Sequence, residues 1–91
     1  MKQVAVMALD GDEDKTLMVV VCLNPLDAYV SKDGKNIGHI VSGKLNPVKD
    51  AKFSEREEKL IIRSSGLLFT ALLDMVELTP AEQFAKIFKE N

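Results

Sequence analysis

Two Val-rich runs constrain this chain more than anything else in it. QVAVMAL (residues 3–9) and LMVVVCL (residues 17–23) are short, β-branched and bounded by acidic loop residues, the signature of strands. They do not alternate between apolar and polar. Val4, Val6 and Ala8 point one way and Ala5, Met7 and Leu9 the other, while Val19, Val20, Val21 and Cys22 cover both faces of the second run. A sheet that is apolar on both faces has to be covered on both faces. The connecting GDEDKT makes a hairpin the simplest link between the runs.

The chain has 91 residues, enough for one domain with a modest core. Apolar residues make up 46% and charged residues 29%, a globular composition. With no Trp, one Tyr and four Phe, the core must be filled by aliphatic side chains. Cys22 is the only cysteine, so no internal disulfide can form, and its apolar run marks it as a buried small hydrophobe rather than a reactive thiol. No signal peptide is read at the N-terminus, which gives a cytoplasmic expectation. The longest apolar stretch, residues 60–78, contains Arg63, Asp74 and Glu77, too many charges for a membrane span.

In NPLDAYVSKDG, Asn24 can cap, Pro25 suits a first helical position and Asp27 suits the positive end of a helix dipole. Leu26, Tyr29 and Val30 share a helical face, so the local signals predict a short helix over 25–32. The rival reading turns AYVSK and KNIGHIVSG into two strands around Asp33-Gly34. On either reading residues 35–43 form a strand that Asn46-Pro47 ends. Ser54 with Glu57 three residues on is a capping box, and Glu55, Glu57 and Glu58 suit a first helical turn. Apolar residues then recur at helical spacing, predicting one helix over about 55–78, weakest at Ser64-Ser65-Gly66. Thr79-Pro80-Ala81-Glu82 restarts a short terminal helix whose apolar face is Phe84, Ile87 and Phe88. The expected fold is α+β: an antiparallel or mixed sheet of three to four strands, packed against a long C-terminal helix plus a short terminal one.

Net charge is −2, unevenly placed: residues 1–30 sum to −3, 31–53 to +3 and 54–91 to −2. The basic island holds Lys32, Lys35, Lys44, Lys49 and Lys52, with His39 among them. It suits an anionic partner or another copy of the chain. Nucleic acid is the weaker expectation, because the island lacks arginine and has few aromatic side chains for stacking.

Two pattern matches fail on context. GHIVSGKL (residues 38–45) is G-x-x-x-x-G-K, yet Lys44 precedes Leu45 instead of the magnesium-binding Ser or Thr, and Asn46-Pro47 stands where a phosphate-binding helix should run. DGDEDK spaces Asp10, Asp12 and Asp14 like the first ligands of a calcium loop, but Lys15 and Val21 occupy the required glycine and glutamate positions. His39 is the sole histidine, so a zinc site lacks ligands, and no metal or cofactor is expected. An enzyme would need groups assembled across subunits, such as His39 with a neighbour's acid.

The long helix is apolar around much of its girth, and Ser64, Ser65, Gly66 and Ala71 are small enough for close approach. Ser64, Ser65, Leu68 and Leu72 are therefore candidate interface residues, either against the sheet or against another subunit. Together these features predict a non-enzymatic protein-interaction module: a regulator, adaptor or inhibitor, acting as a homo-oligomer or on another protein. The alternative is anion or nucleic-acid binding through Lys32, Lys35, His39, Lys44 and Lys49.

Overall fold

The computed structural model describes residues 3–23 and 26–76. Five strands are followed by one long helix: β1 (Gln3–Asp10), β2 (Thr16–Leu23), β3 (Asp27–Lys32), β4 (Lys35–Val41), β5 (Lys44–Pro47) and α1 (Glu55–Val76). The strands form one sheet in the order β1-β2-β3-β4-β5, with every neighbouring pair antiparallel, so the sheet is a meander. The fold is α+β, with one helix packed on one five-stranded antiparallel sheet.

The two Val-rich runs pair as a hairpin, Leu9 opposite Leu17 and Ala5 opposite Val21. A short 3-10 turn, Asp12–Asp14, joins them. The expected helix over 25–32 is not formed: its residues from Asp27 onward are strand β3. Asp33 (φ 52°) and Gly34 (φ 80°) both take the left-handed conformation of a two-residue hairpin turn. That turn docks β3 between β2 and β4, where Ala28 and Val30 extend the core face of the sheet. The helix-start signals carried by Asp27 are worth about 1 kcal/mol. Pairing on both edges and burial of Val30 outweigh them.

The strand count is also higher than the expected three to four. Ser42 (φ 51°) and Gly43 (φ 74°) make a second turn of the same kind, and Lys44–Pro47 returns along β4 as an edge strand. Pro47 is tolerated there because an edge strand has one side without a pairing partner. The pairing of β3 with β4 contains a bulge, since Val30 faces Gly38 while Ser31 faces Asn36, leaving Ile37 as the extra residue. Helix α1 begins where the capping box placed it. The Glu57 N–H donates to Ser54 Oγ (3.1 Å) and the Ser54 N–H donates to Glu57 Oε1 (2.9 Å). The short helix expected from Thr79 onward lies outside the described residues.

The core lies between α1 and one face of the sheet. It is built from Leu17, Val19, Val21 and Leu23 of β2, Val30, Leu45, and Ile61, Leu68 and Leu72 of α1. Val19, Val30 and Ile61 have no exposed surface. The core is aliphatic, with Phe53 and Phe69 packed at its margin.

Candidate functional site

Three surfaces stand out among the described residues: the sheet face turned away from α1, a groove beside α1, and a lysine-lined hollow near the helix N-terminus. No group of three His, Cys, Asp or Glu side chains that could hold a metal ion occurs among the described residues. Among those residues no helix is long and apolar enough to cross a membrane.

The strand register sorts side chains onto the two sheet faces. Val4, Val6 and Ala8 of β1 stand opposite Cys22, Val20 and Met18 of β2 on the face away from α1, and Tyr29 of β3 lies beside Val20. Val20 and Cys22 are buried, whereas Val4 and Val6 are each 51% exposed. The face changes character across the sheet. On β4 and β5 it carries His39, Val41, Lys44 and Asn46. Its apolar half is therefore a patch over β1–β3, and its polar half lies over β4–β5.

The lysine island is continuous in sequence but divided in space. Lys32 and Lys35 face each other across the β3–β4 turn, while Lys44 faces Val41 at the other end of β4. The length of that strand, about 20 Å, separates them. Lys44 is on the face away from α1. Lys32 is on the helix side, where it lines a hollow of about 190 Å³ with Lys15, Lys52, Ile37, Phe53 and Glu57. Lys49 is exposed in the connection between β5 and α1. His39 sits on β4 with its Nε2 3.1 Å from Asn36 Nδ2 and its ring 6.4 Å from that of Tyr29. It is an exposed strand position with a neutral partner. GHIVSGKL runs from β4 through the Ser42-Gly43 turn into β5, so no loop-to-helix junction is present to cradle phosphate.

The four helix positions Ser64, Ser65, Leu68 and Leu72 are all buried within the chain. Leu68 and Leu72 belong to the core against the sheet. The Ser65 hydroxyl donates to the Ile62 carbonyl (2.8 Å). A second face of the same helix is covered less well. Ile62, Ser65, Gly66 and Phe69 form one wall of an open groove of about 610 Å³, whose other wall includes Ala28, Ile40 and the β4–β5 turn. The lining is mostly apolar.

Glu57 organises the end of the molecule where the β1–β2 turn meets α1, a role that reaches beyond its capping box. It is only 2% exposed, and its Oε2 accepts from the Asp12 N–H (3.0 Å) and lies 3.3 Å from Lys15 Nζ. Burial pushes its carboxyl up, but the N–H groups of Ser54 and Asp12 and the Lys15 ammonium outweigh that, and the net shift is downward. Arg56 clamps the same turn from outside, its Nε donating to Asp12 Oδ1 (2.8 Å). The Ser54 hydroxyl and the Arg56 guanidinium hold the Asp12 carboxyl below its ordinary range. Asp12 thus ties the β1–β2 turn to the helix. Gly11 makes the approach possible, since a Cβ there would lie 2.7 Å from Glu57 Oε2. The sequence marks Glu57 only as a cap; its contacts with Asp12 and Lys15 span 45 and 42 positions and have no local signal.

Comparison with protein-family models, with curated proteins and with solved structures finds no match for this chain.

Proposed function

We propose that this protein is a non-enzymatic interaction module that works as a homo-oligomer, two copies meeting through the β1–β3 half of the sheet face opposite α1. One observation carries the reading: Val4 and Val6 are half exposed beside Ala8, Met18 and Tyr29, on a face that α1 does not reach. An apolar sheet patch with a polar margin has the composition of an interface centre and its rim. His39, Lys44 and Asn46 supply that margin. A regulator, adaptor or inhibitor would use the assembled form to present its remaining surfaces.

The test is sedimentation equilibrium of the full chain from 1 to about 200 µM, a range that brackets the affinity of an ordinary interface of this kind. The wild type should sediment as a dimer at the upper end. Val6→Asp should shift it to the monomer while leaving the far-ultraviolet circular dichroism unchanged. A wild type that stays monomeric throughout overturns the reading.

A second reading is favoured by the hollow that gathers Lys15, Lys32 and Lys52. It would take a small anion, with Glu57 already neutralising Lys15. Only Lys32 and Lys52 of the sequence island reach it. Chemical-shift titration with inorganic phosphate should move the amides of these residues in the low-millimolar range if the reading holds, and leave them unmoved if it does not.

A further inference from the structure

The sheet has two edges, and only one of them is blunted. Edge strand β5 is four residues long and carries Lys44 and Pro47, two of the devices that keep an edge from pairing. Edge strand β1 is eight residues long, has no proline or lysine, keeps its register with β2 unbroken, and holds its one charge, Asp10, at its end. We infer that β1 takes an added strand from another protein: an extended, apolar segment running antiparallel to β1, with basic residues at its start.

The β1–β2 ladder determines which backbone groups are available. The Gly11 N–H donates to the Lys15 carbonyl (2.7 Å), which makes that pair a bonded one. Bonded and non-bonded pairs alternate along an antiparallel ladder, so Leu9, Met7 and Ala5 spend their N–H and C=O groups on β2. The groups of Val4, Val6 and Ala8 point the other way, out of the sheet edge, and among the described residues β1 pairs with β2 alone. The row ends at Asp10, whose carbonyl accepts from Arg56 Nη2 (3.3 Å). Donors and acceptors that repeat every second residue, about 7 Å apart, are matched by another extended backbone.

Helix α1 supplies a wall for the added strand. Arg56, Leu60, Arg63 and Leu67 follow one flank of α1 at i, i+4, i+7 and i+11. Arg56 fixes the way that flank faces, since it reaches Asp10 at the β1 edge. The opposite flank, with Ile62 and Phe69, faces β3 and β4 across the groove. Leu67 is 60% exposed, and Met7 and Leu9 on the β1 side of the core are half-buried. Apolar side chains on the helix side of an added strand would meet these residues. Charge sets the composition of its first residues. Glu13 and Asp14, in the turn beyond Asp10, are exposed and make no ion pair among the described residues. Basic side chains at the start of an antiparallel strand would lie beside them. A second copy is the poorer occupant, because two-fold self-contacts at this edge and at the sheet face together give open-ended assembly unless their axes close.

The test uses the full chain, labelled with nitrogen-15, and a short blocked peptide of two lysines followed by alternating valine and threonine. In the free chain the Val4, Val6 and Ala8 amides should exchange about tenfold or more faster than those of Ala5, Met7 and Leu9. The peptide should shift these three amides with a dissociation constant at or below about 1 mM. An analogue that starts with two glutamates should bind more weakly. Ala8→Pro removes an N–H that β2 does not use and should abolish binding with the β1–β2 pairing retained. Leu67→Asp, at an exposed position, should weaken binding about tenfold without altering the fold. Tyr29→Asp, two strands from the edge on the self-association face, should leave peptide binding in place, so failure of self-association and failure of strand docking are told apart. An unshifted edge in the wild type overturns the inference, as does equal binding of the glutamate analogue. So do slow exchange of the three amides in the free chain, whether its own residues or a second copy cover them, and shifts that survive unchanged in Ala8→Pro and Leu67→Asp.

Discussion

Replacing Glu57 by glutamine tests the account of how α1 is fixed to the sheet. In the native protein one carboxylate oxygen accepts from the Ser54 N–H and the other from the Asp12 N–H, with Lys15 3.3 Å away. Glutamine keeps the shape but has one acceptor and one donor group at these positions. Whichever way the amide is turned, one backbone N–H faces an NH₂ group and loses its acceptor. A buried donor left in that state costs about 1–3 kcal/mol. Lys15 is 26% exposed and can rehydrate, so loss of its partner adds under about 1 kcal/mol. Glu57→Gln should therefore destabilise the protein by about 2–3 kcal/mol. Glu57→Ala, which orphans both N–H groups, should cost about 3–5 kcal/mol. A domain of this size has some 5–15 kcal/mol in all, so either effect is a large fraction of it. Urea unfolding followed by circular dichroism measures it as a lowered midpoint at constant m-value. A Glu57→Gln variant within about 0.5 kcal/mol of the wild type refutes the reasoning, because surface substitutions fall in that range. So does a Lys15→Met variant that costs as much as Glu57→Gln, since the ion pair and not the backbone bonds would then dominate.

The remaining predictions concern acid, core and turn. The Glu57 carboxyl is held below its ordinary range in the folded state, so its contribution is complete above that range and is lost as pH falls through the folded-state value. The midpoint of urea unfolding should drop over that acidic window, and the drop should be shallower in Glu57→Gln. Ile61→Ala removes a side chain with no exposed surface and should cost about 2–5 kcal/mol, read by thermal or urea unfolding. Gly11→Ala drives a Cβ to within 2.7 Å of Glu57 Oε2 and should cost about 1–3 kcal/mol in the same assay; combined with Glu57→Ala, its added cost should shrink.

Much of this fold is legible in the residues one after another. The β1 and β2 runs declare themselves by β-branched content, and their two-faced hydrophobicity announces a sheet with a further apolar face. The start of α1 is written in Ser54 and Glu57, whose reciprocal bonds form within one turn of chain. Such local signals act before any tertiary contact exists and survive folding unchanged. Residues 27–32 went the other way. Their helix-start chemistry and their strand chemistry differ by only about 1 kcal/mol, so the decision passed to partners in β2 and β4 that lie elsewhere in the sequence.

The candidate surfaces show the same division. The sequence by itself determined which residues are charged, which are apolar and where turns can form, because those are properties of single side chains and short spacings. It placed Lys32, Lys35, Lys44, Lys49 and Lys52 in one island. Only the tertiary structure decided that the length of β4 separates Lys35 from Lys44 at opposite ends of the sheet, that Lys15 joins Lys32 and Lys52, and that Leu68 and Leu72 face inward. The physical reason is that an antiparallel meander reverses the chain at every turn. Neighbours along the sequence are carried apart by the length of a strand, and residues as distant as Asp12 and Glu57 are brought within a hydrogen bond.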